Sequence, residues 1–364
     1  MGLTLVRILL TGHDGYVGTV LAPMLAAAGH DVVGVDSLLF QDCGFGPDAS
    51  AASLRNGGAV DIRDVGVDHL VGVDAVVHLA AISNDPLGDL RPACTMAINH
   101  RATVRLATLA KRAGVARFVL SSSCSLYGAH GDAAIDEEAE LRPVTPYGES
   151  KMLSERSLRA LADDDFSPTY LRSATAFGVS PRLRGDLVVN NLTGLAFTTG
   201  EVLMRSDGTP WRPLVHVDDM ARAFVAAVEA PRPLVHDQAF NVGSTAENYR
   251  IRDVAEIVES IVPDSVVRFA AGAGPDLRNY RVDCAKLAAV LPSAFPRWTV
   301  ADGVRQLYDA YLANGLTIDD LNSRLLRIEH IKALQAAGHV DADLRWNHAR
   351  SAVGEAAPMG AAGG

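Results

Sequence analysis

The 364-residue chain is 48% hydrophobic, enough to bury a sizeable core in two domains or in one large α/β domain with an insertion. Its formal net charge of −10 argues against a nucleic-acid or anionic-membrane partner, while leaving room for a local basic pocket around a phosphorylated small molecule. No apolar stretch spans a bilayer, the first core strand leaves no room for a signal peptide, and Cys43, Cys94, Cys124 and Cys284 show no CxxC spacing, which predicts a cytoplasmic protein without zinc or a disulfide framework.

The apolar run at residues 5–10 predicts a buried strand. Gly12, Gly15 and Gly18 follow it with GxxGxxG spacing, and apolar periodicity over 17–28 predicts a helix. A strand, a glycine turn and a helix in that order build a pyrophosphate site. Gly12 permits the turn, Gly15 lets the backbone approach the phosphates, and Gly18 lets the helix pack on the strand, with its N-terminus toward the anion. A second strand, HDVVGVD, ends at Asp36. A carboxylate there accepts hydrogen bonds from an adenosine ribose and repels a 2′-phosphate, which points to NAD rather than NADP. On its own, Asp36 reads better as a polar strand end; behind the glycine turn the ribose reading is favoured.

Strands are further predicted at 74–80, 117–123, 168–174 and 238–243, and helices at 98–113, 147–162 and 218–230. This alternation predicts a Rossmann-type doubly wound parallel sheet with ligands beyond the carboxyl ends of its strands. From about residue 178 prolines, glycines and arginines become frequent, as in GVSPRLRGD, which predicts a smaller mixed α/β substrate domain. The boundaries expected are 1–177 for the dinucleotide-binding domain, with 214–243 returning to it, and 178–213 with 244–311 for the substrate domain. Residues 312–348 form a helical extension, in which Leu325, Ile328, Ile331 and Leu334 make one face against the core or a second subunit. The tail 349–364 has little to bury and is expected to be disordered.

The strand at 117–123 ends in SSSCSLYG, and TPYGESK follows some twenty residues later. Tyr147 and Lys151 are four residues apart and share one helix face. A tyrosine near pKa 10 is a poor base, but an adjacent ammonium and a positive nicotinamide ring both favour its phenolate. Ser123 at the neighbouring strand end is placed to share the substrate hydroxyl. The three make a device that removes a proton from an alcohol while hydride leaves for NAD.

With TGHDGYVG, Asp36, HLAA, Asn99, SSSCSLYG, YGESK, RPLVHVDD and NVG in place, the chain resembles the extended short-chain dehydrogenases/reductases, in their NAD-dependent nucleotide-sugar epimerase/dehydratase family, from residue 5 to about 290. The resemblance implies cofactor contacts from Gly12, Asp14, Gly15, Tyr16, Val17, Gly18 and Asp36. Asp61 and Ile62 would flank the adenine and Leu79, Ala80 and Ala81 would line the cofactor. Asn99 would support the active-site strands beside Tyr147 and Lys151. His78 also reads as a satisfied core histidine, and Asn99 as a helix cap. On the substrate side the resemblance suggests Ser83, Cys124, Thr175, Asn190, Asn191, Arg212 and Arg278. Thr175 stands where the family often has an asparagine on the substrate diphosphate, and either arginine reads equally as a surface ion pair. A nucleotide sugar is the implied substrate, and a homodimer the expected assembly.

The family's 4,6-dehydratases carry an Asp-Glu pair after the catalytic serine or threonine; here Cys124 and Ser125 stand there. The related decarboxylases carry Glu at the Ser125 position. Small residues there resemble the 4-epimerases, which need only oxidation, rotation of the keto-sugar and return of the hydride. Cys124 is expected to face away, since neighbouring strand residues point to opposite faces. The alternatives are an NAD-linked dehydrogenase or ketoreductase of a nucleotide sugar and a non-catalytic NAD-binding protein, the latter disfavoured because Tyr147 and Lys151 are both present.

Overall fold

The computed structural model describes residues 5–46, 55–83, 85–274 and 279–347, so Arg278 and the tail 349–364 lie outside the described residues. Seven parallel strands form the central sheet: β1 (Arg7–Thr11), β2 (Asp31–Asp36), β3 (Arg55–Ala59), β4 (Ala75–His78), β5 (Arg117–Ser123), β6 (Ser167–Ser173) and β7 (Gln238–Val242). Their order is β7-β6-β5-β4-β1-β2-β3. The chain turns outward from β1 to β2 and crosses back to β4 on the other side, which opens a crevice at the carboxyl ends of β1 and β4. β3 has no counterpart in the sequence expectation. Its RNGGA segment carries no apolar pattern and joins the sheet as an edge strand on β2.

Both sheet faces are covered, which is why the strands read as continuous apolar runs. On one face α1 (Gly18–Ala27) brings Leu21 and Leu25 against Ile8 and Leu10, together with Phe224 from Val217–Glu229. On the other, α2 (Ala102–Arg112) and α3 (Pro146–Arg159) bring Leu106 and Leu158 against Leu9, Val76 and Leu120. The helix expected from residue 98 starts earlier, at Pro92, and passes through a widened π-type turn, Ala97–Arg101, before α2. Such turns recur at functional sites, and this one holds Asn99. Its side chain clasps Ile82, accepting from the backbone N–H at 2.8 Å and donating to the carbonyl at 2.9 Å. His78 is a satisfied core residue between the hydroxyls of Thr11 and Thr103, both at 2.7 Å, and burial lowers its pKa to about 3.

The second lobe packs the helices Val188–Thr199, Ile251–Ile261 and Val300–Asn314 around a core that includes Val189, Val254 and Leu307. Beside them, Trp211–His216 pairs parallel with Thr175–Phe177 and antiparallel with Asn248–Arg250. The C-terminal extension does not form the single helix face expected of it. The chain breaks between Ile318–Asn322 and α4 (Arg327–Ala336). Leu321 and Leu325 join the second-lobe core, whereas Ile331 and Leu334 join the core under the central sheet, and Ile328 is half-buried. The extension thus straps both lobes of its own chain. No helix among the described residues is long and apolar enough to cross a membrane.

Candidate functional site

Gly12 turns the chain after β1 with φ +76°, a left-handed backbone that favours glycine. A Cβ there would lie 2.8 Å from the Ala80 backbone nitrogen, and one on Gly18 would overlap the Gly12 carbonyl. Val17 caps α1 without a side-chain hydrogen bond; the Thr19 N–H turns back to the Gly15 carbonyl at 3.0 Å, and the positive end of the helix meets the glycine turn. This cradle, which any Cβ would fill, fits a pyrophosphate. At the end of β2, Asp36 accepts from the Leu38 N–H at 2.8 Å and the Asp14 N–H at 3.1 Å. Burial pushes its carboxyl above the ordinary range against those bonds. Gly12, Gly15, Tyr16, Val17, Gly18, Asp36, Asp61, Ile62, Leu79, Ala80 and Ala81 line one cleft of about 730 Å³. The Asp14 side chain does not line it. The Arg182 guanidinium forks it at 2.7 and 3.1 Å, neutralising a carboxylate that would repel phosphate.

The same cleft reaches Ser123, Ser125 and Tyr147. Thr145 caps α3, accepting from the Gly148 N–H at 3.2 Å, and Pro146 opens the helix. A Cβ on Gly148 would lie 2.8 Å from the Ser125 carbonyl; the glycine lets the helix bearing Tyr147 press onto the turn after Ser123. One turn along, the buried Lys151 ammonium lies 5.8 Å from the Tyr147 ring centroid and donates to the Ser121 carbonyl at 2.7 Å. Burial lowers its pKa to about 8, with Glu155 working the other way. Asn99 stands behind this helix and donates to Ser150 Oγ at 3.1 Å; neither it nor Lys151 lines the cleft.

Of the substrate-side candidates, Ser83, Thr175, Asn191 and Arg212 line the cleft. Cys124 and Asn190 do not. The Cys124 thiol is buried in the turn after β5, donates to the Arg172 carbonyl at 3.1 Å, and is pushed well above the ordinary thiol range by burial. Asn190 accepts from the Gly178 N–H at 2.9 Å and donates to the Arg184 carbonyl at 3.0 Å, so it fixes the loop. That loop brings in two residues the sequence reading passed over. The Arg184 side chain forks Asp186 at 2.7 and 3.0 Å, donates to Ser83 Oγ at 3.1 Å, and lies close enough to Tyr147 to feel its charge. The RLRGD text is the only local signal for them. Among the described residues, the carboxylates lining the cleft are Asp36, Asp61 and Asp186.

A model of the NAD dependent epimerase/dehydratase family matches residues 8–243. The chain is 29% identical over 318 residues to the UDP-glucose 4-epimerase of Mycolicibacterium smegmatis, covering 84% of this chain and 98% of the relative. Among solved structures it is similar to MoeE5 in complex with UDP-glucuronic acid and NAD. There the TM-score is 0.73 and the identity 27%, over 84% of this chain and 99% of the other. It shares the fold of TunA, an NAD-dependent NDP-hexosamine 5,6-dehydratase, with TM-score 0.75 and 23% identity over 85% of this chain and 98% of the other.

Proposed function

Because the chain belongs to the NAD-dependent epimerase/dehydratase family, we propose that it epimerises a nucleotide-linked sugar, at C4, by transient oxidation to the keto-sugar. NAD held in this cleft would supply the hydride acceptor and donor. Tyr147 removes the proton from the sugar hydroxyl, and the Lys151 ammonium one turn away favours its phenolate. Ser123 holds the same hydroxyl in line. Arg212 and Thr175 bind the diphosphate, as guanidinium forks suit phosphate oxygens. The observation that carries this reading is the surroundings of Ser123. Ser125 lines the cleft, Cys124 is sealed behind it, and none of the cleft carboxylates belongs to that turn. Loss of water needs an acid and a base there. Product mass and NMR test the reading. The expected product has the substrate's mass, is inverted at one carbon, and keeps deuterium placed on that carbon. A product lighter by water or carbon dioxide overturns epimerisation, and steady NADH formation assigns a dehydrogenase instead.

Two further results are expected. Turnover should fall as pH rises through about 8, where Lys151 loses its proton. Stability runs the opposite way. With a folded pKa of about 8 against 10.5 for a free lysine, the buried charge penalises the fold below pH 8, and this penalty fades as pH rises between those values. A pH–rate profile beside a pH series of melting temperatures checks both signs. Asp36→Ala should narrow the preference for NAD over NADP by removing ribose hydrogen bonds and charge repulsion together. Titration of the stripped protein with each dinucleotide measures it, and an unchanged ratio removes Asp36 from the ribose site.

A further inference from the structure

The loop that leaves β2 carries a strained backbone. Leu38 has φ +58°, a left-handed conformation that is unfavourable for a bulky side chain and persists only where its surroundings fix it. The strained residue is also the one that aims the Asp36 carboxylate, because the Leu38 N–H donates to Asp36 Oδ1 at 2.8 Å. Oδ2 accepts from the Asp14 N–H of the glycine turn at 3.1 Å. From this loop Asp36, Ser37, Leu39 and Phe40 line the cleft.

The C-terminal extension holds the loop. The Trp346 indole donates to the Ser37 carbonyl at 2.6 Å, and the His330 Nε2 donates to the Leu39 carbonyl at 2.9 Å. The two bonds grip the residues on either side of Leu38. Burial lowers the His330 pKa, so the ring is neutral at neutral pH, and its carbonyl partner requires the proton on Nε2. Beside them the Arg327 guanidinium lies over the Phe40 ring, 4.4 Å from the centroid. A further grip reaches the loop after β3, where Arg345 pairs with Asp64 at 2.5 Å.

We infer that Trp346 and His330 are positioning residues for Asp36: by holding the carbonyls on both sides of Leu38 they keep its N–H under the carboxylate, and so set the affinity for the adenosine half of the dinucleotide and the preference for NAD over NADP. The inference rests on the reading of Asp36 as the ribose acceptor. A carboxylate held by Leu38 at one oxygen and by Asp14 at the other presents its remaining lone pairs to one place. A loop already ordered around it leaves no ordering cost to the ligand. Without the two grips, Leu38 relaxes toward an unstrained backbone and its N–H leaves the carboxylate.

Calorimetric titration of the stripped full-length protein with NAD, NADP, ADP-ribose and nicotinamide mononucleotide tests this. Trp346→Phe keeps an aromatic ring and removes the N–H donor. It should weaken NAD and ADP-ribose about threefold to tenfold, the size of one hydrogen bond. NADP, whose 2′-phosphate gains nothing from the carboxylate, should change little, so the NAD preference narrows, and nicotinamide mononucleotide should bind as before. His330→Phe, which keeps a ring near Phe40, now at 5.9 Å, should give the same pattern. Melting without ligand shows whether each variant folds, and His330→Phe carries the test if Trp346→Phe does not fold. Glycine adopts φ +58° without strain, so in a Leu38→Gly background the loss from Trp346→Phe should shrink. Wild-type ADP-ribose affinity and an unchanged NAD preference in the folded variants overturn the inference. An equal loss for all four ligands shows a merely structural role and overturns it as well, as does a loss undiminished in the Leu38→Gly background. An unchanged NAD preference in Asp36→Ala overturns the ribose reading itself, which is a separate outcome.

Discussion

Tyr147→Phe should reduce turnover by about a hundredfold or more while leaving folding and NAD affinity near those of the parent protein. Only the ionisable oxygen is lost. The Tyr147 Cβ still lies against Gly88, where an added Cβ would meet it at 3.6 Å, and the ring still lies beside the Lys151 ammonium at 5.8 Å. Thr145 and Pro146 continue to start the helix, so the backbone does not depend on the hydroxyl. A hundredfold loss corresponds to roughly 3 kcal/mol of barrier, and it should appear in kcat rather than in substrate or cofactor binding. Rate measurements beside NAD titration and thermal melting separate these quantities. Near-parental turnover in the folded variant would remove Tyr147 as the base and, with it, the centre of the proposed mechanism.

The features legible in the sequence are those encoded over short distances. The glycine spacing at 12, 15 and 18, the acidic end of β2, and the four-residue step from Tyr147 to Lys151 each follow from the geometry of one turn, strand or helix. What was not legible depends on side chains distant in the chain. Arg184 and Asp186 enter the cleft only because the loop folds back, held by Asn190 through the Gly178 and Arg184 backbone. Gly148 reads as part of a motif, but its physical reason is the Ser125 carbonyl across the helix–turn contact. β3 carries no apolar alternation because it is an edge segment completed by its neighbour. Arg327 reaches the loop after β2 from almost three hundred residues away, and no periodicity reports such a contact. Cys124 is withdrawn from the cleft by the turn after Ser123, where its thiol finds the Arg172 carbonyl.

Glu155→Ala should strongly destabilise the fold, although Glu155 touches no part of the cleft. Its carboxylate sits beneath the catalytic elements, forked by Arg172 at 2.7 and 3.1 Å and accepting from Ser122 Oγ at 2.5 Å, with both charged side chains almost wholly buried. Arg172 also donates to the Tyr127 hydroxyl at 3.0 Å and the Glu137 carbonyl at 2.9 Å, so it is fixed in place and does not follow a lost partner to water. Removing one member of a buried pair leaves the other charge uncompensated, at a cost of about 3–5 kcal/mol. For a protein of this size that lowers the melting temperature by roughly 4–7 °C. A second readout ties the pair to the site. Glu155 is the neighbour that holds the Lys151 pKa up against burial. Without it, Lys151 should lose its proton at lower pH, and the alkaline fall in turnover should move below pH 8. Glu155→Gln, which keeps an acceptor for Ser122, should recover part of the stability but none of this shift, because only the charge acts on the ammonium. Melting within about one degree of the parent protein for the alanine variant would show that the pair contributes little. An unmoved alkaline limb in the glutamine variant would show that Lys151 is not the group whose titration limits the rate.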